Sequence, residues 1–126
     1  MLGGGGGGLS GAAVHPVAVR AVWECRAAFP DAAIVGVGGV ASGRDAAELL
    51  LAGADAVQVG TATFRDPKAP WKVLRQLARW CEQHETSIAD VRAAARRRTG
   101  EPARDTPADG PAGATPEGGR HGRQLR

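Results

Sequence analysis

The chain has 126 residues, 43% of them hydrophobic and 23% charged, with a formal net charge of +3. That length suits one small domain, and so mild an excess of base falls short of the balance expected of a dedicated nucleic-acid binder. No apolar run reaches the length of a membrane span and no basic-then-apolar leader opens the sequence, so a cytoplasmic protein is expected. Apolar residues concentrate between Ala12 and Arg98. From Thr99 to Arg126 the chain is Gly, Pro, Ala, Thr and charge, with Leu125 its one large apolar residue. Such a segment cannot offset its ordering entropy, and 99–126 is expected to be a disordered tail. About ninety residues remain for a core, which is marginal for a self-standing domain.

The chain opens with six glycines, Gly3 to Gly8, followed by "LSG". Pro16 suits the start of a helix, where its missing N–H is harmless. "VAVRAVWECRAAF" then places Val19, Val22, Trp23, Ala27 and Phe29 at roughly helical spacing, and Pro30 and Asp31 end the segment. In "AAIVGVGGV", Ile34, Val35 and Val37 form a short continuous apolar run, the mark of a strand covered on both faces in a parallel sheet. Ser42 with Asp45 three residues on forms a weak capping box. The helix "GRDAAELLLA" should bury Ala46, Leu49, Leu50 and Ala52, with Gly53 as its terminator. "ADAVQVGTA" reads as a second strand through Ala56, Val57 and Val59, closed by Gly60 and Thr61. A polar loop with Asp66, Pro67 and Pro70 leads to an amphipathic helix, "WKVLRQLARWCEQH", with Trp71, Leu74, Leu77, Ala78 and Cys81 on one side. A last helix from about Ser87 to Arg97 turns Ile88 and Val91 inward. Alternating strands and helices argue for βαβ units and a parallel sheet.

Spacing points to chemistry. Gly11 and Gly38 are 27 residues apart, and Gly38 and Gly60 are 22 apart. Each step accommodates one strand and one helix, so all three glycines fall at the turn after a strand. In a (β/α)8 barrel those turns line the active-site face, and the loops after strands 7 and 8 commonly bind phosphate. Such a barrel takes about 250 residues, roughly twice this length. "LSGAA" at 9–13, "VGVGG" at 35–39 and "QVGTA" at 58–62 are therefore candidates for one phosphate site. Glycine lets an anion approach backbone N–H groups, and Thr61 adds a hydroxyl and a helix N-terminus. The bland alternative is three glycine-rich βα turns.

Other polar residues speak less clearly. His15, His84 and His121 have no metal-ligand spacing. His84 reads as a solvated helix end, whereas His15 adjoins the Gly11 loop and could face a ligand. Gln58 alternates with apolar neighbours and could point into a barrel interior, or stand at a polar edge beside Asp55. Asp45, Glu24 and Glu48 read as helix surface. Cys25 and Cys81 read as buried free thiols in a reducing compartment. Arg92, Arg96, Arg97 and Arg98 read as a solvated helix end that complements the dipole, with a nucleic-acid patch as the rival. No aromatic residue interleaves those arginines.

"GGLSGAAVHPVAVRAV" followed by "IVGVGGVASGRDAAELLLAGADAVQVGTATFRDPKAPWKVL" resembles the C-terminal part of dihydroorotate dehydrogenase, and most closely the bacterial class that passes electrons to NAD through a partner subunit. The likeness runs from about Gly7 to Trp80, with "GGLSG", "GVGGV" and "AGADAVQVGTA" in the family's order. It implies residues 1–98 as the C-terminal portion of a (β/α)8 TIM barrel, an α/β fold, holding the last two strands and their helices. It implies FMN as cofactor, with Gly11, Gly38, Gly39, Gly60 and Thr61 as cofactor-binding residues. It implies oxidation of dihydroorotate to orotate in de novo pyrimidine (UMP) biosynthesis. Implied partners are an iron–sulfur/FAD electron-transfer subunit and possible homo-oligomer copies, with no nucleic acid and no membrane. The family's catalytic cysteine and the residues that hold orotate and the flavin ring lie upstream of the matching stretch, so no catalytic residue is assigned and little activity is expected of the chain alone. Cys25 and Cys81 match neither that cysteine nor an iron–sulfur motif. Ala12 stands where the family usually has Pro and His15 where it often has Lys; Gly3 to Gly6 have no counterpart. Rival readings are a dihydropyrimidine dehydrogenase-like flavin barrel and a non-catalytic fragment that binds FMN or another phosphorylated ligand.

Overall fold

The computed structural model describes residues 6–99. Most of the expected tail, 100–126, lies outside the described residues. A single 3-10 turn at Ala12–Val14 runs directly into helix α1, His15–Ala28, with Pro16 in its first turn. Strand β1 is Val35–Val37, helix α2 Gly43–Ala52 and strand β2 Ala56–Gln58. Short helix α3, Ala62–Arg65, then precedes α4, Ala69–Gln83, and α5, Ile88–Thr99. The strands pair in parallel, with Val35 opposite Ala56 and Val37 opposite Gln58. The α/β reading therefore holds, with one βαβ unit among the described residues.

Helix α2 is the hub, packed against α1, α4 and α5. Its start is fixed by a complete capping box: Ser42 Oγ accepts from the Asp45 N–H, and Asp45 Oδ2 accepts from the Ser42 N–H at 2.8 Å. Its end is fixed by Gly53, whose φ of 122° suits glycine alone. The core it organises is built largely from alanine and valine: Ala18, Val22, Val40, Ala46, Ala52, Ala54 and Val73 around a fully buried Leu49. Small side chains let the helices approach closely. The Gly43 N–H donates to Gln76 Oε1 at 2.8 Å across the α2–α4 contact.

Several expected faces are corrected. Helix α1 buries His15, Ala18, Val22 and Arg26, while Trp23 and Phe29 are exposed. Helix α4 buries Ala69, Val73 and Cys81 with Leu77 half-buried, whereas Trp71, Leu74 and Ala78 are exposed. Its helical period was expected correctly but its phase was not. The face that meets α2 is chosen by the close crossing at Gly43, not by the largest apolar residues. Strand β1 buries Gly36 and exposes Val35 and Val37, so its two faces are not both covered. Of the two thiols only Cys81 is buried, its pKa pushed up by burial and by Glu82; Cys25 is exposed. The expected polar loop after β2 contains helix α3, whose Phe64 is 91% exposed.

The α1 stripe ends in a buried cation. Arg26 is fully buried, and four of its five guanidinium N–H groups donate, to the carbonyls of Gly53 at 2.9 Å and of Pro30 and Ala32 at 2.7 Å, and to Asp55 Oδ2 at 2.6 Å. Asp55 also accepts from the Ile34 N–H at 3.0 Å, from Arg92 at 3.1 Å and from Arg96 at 2.8 Å. Arg92 and Arg96 are thus tied into the fold, which corrects their reading as a merely solvated helix end. Burial opposes ionisation of Asp55. Arg96, the Ile34 N–H, Arg92 and Arg26 outweigh it and hold the carboxyl far below the usual carboxylate range. A depressed folded-state pKa stabilises fully above the unfolded value of about 3.9 and loses that contribution as pH falls toward the folded value. Removing one member of a buried pair costs about 3–5 kcal/mol. Asp55→Asn should therefore lose about 3–5 kcal/mol of stability near neutral pH, measured by urea unfolding followed by tryptophan fluorescence. The gap to the unsubstituted chain should narrow toward about pH 2. An equal gap at both pH values would show that the carboxylate charge is not what stabilises the fold.

Candidate functional site

The loops that follow β1 and β2 and the turn that precedes α1 meet at one end of the sheet. Between them lies a cavity of about 660 Å³. Gly11 and Ala12 line it from the turn before α1, Gly39 to Ala41 from the loop after β1, and Thr61 and Ala62 from the loop after β2. Arg65 and Lys72 bring positive charge from α3 and α4. The structure thus brings Gly11, Gly39 and Thr61 together, although 28 residues separate the first two and 22 the last two. Gly38 and Gly60 adjoin this cavity in the chain but do not line it.

Local sequence explains the loops. After β1, Gly38 and Gly39 both have positive φ, 133° and 65°. The turn they make lies flat against the start of α1. A Cβ on Gly39 would sit 2.7 Å from the Gly11 carbonyl oxygen and 2.7 Å from His15 Cβ. Beyond them, Asp45 Oδ2 accepts from the N–H groups of Ala41, at 2.9 Å, and Ser42. That leaves Gly39 and Val40 as the amides this loop can offer to a ligand. Burial works against ionisation of Asp45, but the Ala41 N–H, the Ser42 side chain and the Ser42 N–H outweigh it and lower its pKa. After β2, Thr63 Oγ1 donates to the Gly60 carbonyl at 2.8 Å and closes the turn into α3. Thr61 stands at the N-terminus of α3 with no side-chain capping bond, so its hydroxyl faces no competing helix role. Nothing stands within 4 Å of a Cβ built on Gly11 or Gly60, which leaves open space beside both.

The charged side chains of the lining are Arg65, Asp66 and Lys72, two cations and one carboxylate. Lys72 is paired with Asp66, whose carboxyl pKa is lowered by that ammonium and by the Lys68 N–H. Arg65 adds a further cation on the same wall. Among the described residues no cluster of His, Cys, Asp and Glu could hold a metal ion, and no helix is long and apolar enough to cross a membrane. His84, exposed, stacks on Trp80 and faces the Trp80 carbonyl at 2.8 Å, away from this site. Gln58 is exposed at the end of β2. His15 was singled out for its place beside the Gly11 loop, and its ring lies 2.8 Å from the Gly38 carbonyl and 3.2 Å from Glu48. Glu48 and Asp45 thus both serve the loops rather than plain helix surface. Sequence reasoning missed Arg65 and Lys72, for which charge two residues either side of a proline is too common a pattern to single out.

A parallel βαβ unit whose strand ends carry a glycine-lined hollow is an α/β arrangement. The family model described as dihydroorotate dehydrogenase matches residues 2–80, and the chain belongs to that family. The dihydroorotate dehydrogenase B (NAD(+)) catalytic subunit of Citrifermentans bemidjiense is 48% identical over 79 residues, 63% of this chain and 26% of that protein. A protein of Solibacter usitatus, its name provisionally assigning it to dihydroorotate dehydrogenase A (fumarate), is 49% identical over 82 residues, 65% of this chain and 27% of that one. The crystal structure of DHODH from Eimeria tenella in complex with ferulenol superposes with a TM-score of 0.62 at 31% identity, over 71% of this chain and 24% of that one. The chain spans about a quarter of the length of the curated relatives it matches.

The two glycine loops separate space from strain. Gly39→Ala should lose about 1–3 kcal/mol, because a side chain at φ 65° would also collide with Gly11 and His15. Gly60→Ala should stay within about 0.5 kcal/mol. Urea unfolding of the two variants side by side checks this; equal losses would contradict the loop geometry.

Proposed function

We propose that this chain carries the phosphate end of the FMN site of a dihydroorotate dehydrogenase, built as the last two βα units of a (β/α)8 barrel. The single observation that supports it is the convergence of Gly11, Gly39 and Thr61 on one cationic cavity beside the strand ends. Dihydroorotate dehydrogenases are flavin-dependent as a family, and the residues present suit the phosphate of FMN. The Gly39 and Val40 N–H groups and the Thr61 hydroxyl and N–H would donate to its oxygens, and Arg65 would supply countercharge. Gly11 leaves room for close approach. Gly38, at φ 133°, holds the turn, and Gly60 leaves open space beside the same hollow. When bound, FMN supplies the two-electron oxidation of dihydroorotate to orotate, a step of UMP synthesis. The residues here bind and orient; none is assigned as the base. The B-class relative is named a catalytic subunit, which supports an electron-transfer partner that passes electrons to NAD.

Two outcomes test this. The full chain should bind FMN at least about tenfold more tightly than riboflavin, which lacks the phosphate, and Thr61→Glu should abolish that preference by placing a like charge in the hollow. Flavin fluorescence quenching reads both, and equal affinities for the two flavins would refute the phosphate site. With saturating FMN and an acceptor, the chain alone should turn over no dihydroorotate; orotate formation would show that the base lies within these residues.

A further inference from the structure

One face of α4 looks into the cavity. Ala69, Lys72 and Gln76 all line it, and their spacing of three and four residues stacks them along a single stripe of the helix. Ala69 offers no polar side chain, and the Lys72 ammonium is taken by Asp66. Gln76 differs from both. Its Oε1 accepts from the Gly43 N–H at 2.8 Å. Gly43 is the first residue of α2, and the N–H groups of a helix's first turn have no partner inside the helix. A backbone N–H only donates, so the atom that faces it is the oxygen, and the sense of the carboxamide is settled.

Gly43 also fixes where that carboxamide stands. A Cβ built there would lie 2.4 Å from the Gln76 carbonyl carbon and 2.4 Å from the Leu77 nitrogen. The start of α2 therefore rests on the backbone of α4 at this residue, and Gln76 shows the cavity its side chain rather than its main chain. With the oxygen engaged by Gly43, the carboxamide presents Nε2 and its two N–H groups. No acceptor among the described residues takes either of them. Gln76 is exposed, so a ligand in the cavity can reach it. The donor is neutral. On a wall that sets Arg65 and Lys72 against Asp66, it adds hydrogen bonds without adding charge.

We propose that Gln76 is a further binding residue of the cavity, its carboxamide turned by the first N–H of α2 so that Nε2 donates to a phosphate oxygen of the ligand. This rests on the reading of the cavity as a phosphate site, and the test separates the two. FMN and riboflavin are titrated into the full chain and into its Gln76→Met and Gln76→Glu variants, with flavin fluorescence as the readout. Gln76→Met removes donor and acceptor without adding charge, and Gln76→Glu keeps an acceptor for Gly43 but has no N–H to donate. Each should lower FMN affinity about tenfold or more, the worth of one hydrogen bond to an anion, and leave riboflavin within about twofold. In the unsubstituted, nitrogen-15-labelled chain the side-chain NH2 signals of Gln76 should shift in step with the Gly39 amide as FMN saturates. That readout needs no substitution, so a variant that does not fold leaves the test intact. An equal loss for both flavins in Gln76→Met, with Gln76→Glu unaffected, would reduce Gln76 to a cap for α2 and overturn the proposal. NH2 signals that stay still while the Gly39 amide moves would overturn it too, and the phosphate reading would stand without Gln76. Equal binding of FMN and riboflavin to the unsubstituted chain would remove the phosphate reading and the role of Gln76 with it.

Discussion

The ion pair between Arg26 and Asp55 is the constraint on which the described fold depends. A guanidinium with no exposure to water needs acceptors inside the fold, and four come from α1's own exit, the end of α2 and the residue before β2. Asp55 in turn gathers Arg92 and Arg96 from α5 and the Ile34 N–H just before β1. Three stretches distant in sequence, 26–34, 53–55 and 92–96, are fixed at one point. Hydrophobic area alone gives a core of alanines and valines little specificity. The directional demands of a buried charge supply it here, setting where β1 begins relative to β2 and so where the strands end.

The same helix carries that order to the site. The buried stripe of α1 begins at His15 and ends at Arg26, with Ala18 and Val22 between. Arg26 locks one end of the βαβ unit, and His15 meets the Gly38 carbonyl at the other. Small side chains between them let α1 lie close on the loop: a Cβ on Gly38 would stand 2.6 Å from Ala18 Cβ. The cavity is therefore a product of helix placement as much as of its glycines. Its charged wall comes from α3 and α4; α4 packs against α2, and α3 against α4.

How much of this was legible in the sequence varied with the range of the signal. Local chemistry reads well: the Ser42–Asp45 capping box, the inward face of α2 and Gly53 as terminator all lie between Ser42 and Gly53. The three loops were placed at a common site from their spacing, and three of the five expected residues line one cavity. The phase of α1 and α4 does not follow residue size: Trp23, Trp71 and Leu74 lie outside and alanine lies within. Strand β1 was expected to be covered on both faces, yet Val35 and Val37 stand exposed beside a two-stranded sheet. The Asp55 node was invisible for a different reason. Its cationic partners lie 29, 37 and 41 residues away, and no periodicity links an acid to bases at such distances.

We propose that the folded βαβ core preforms an anion cradle from Gly11, Gly39, Val40 and Thr61. Titration of the nitrogen-15-labelled full chain with inorganic phosphate, followed by amide chemical shifts, tests it most directly. The account predicts saturable shifts confined to those residues and their immediate neighbours. Shifts centred instead on the arginines of α5, or no saturable shift at the glycine loops, would contradict it.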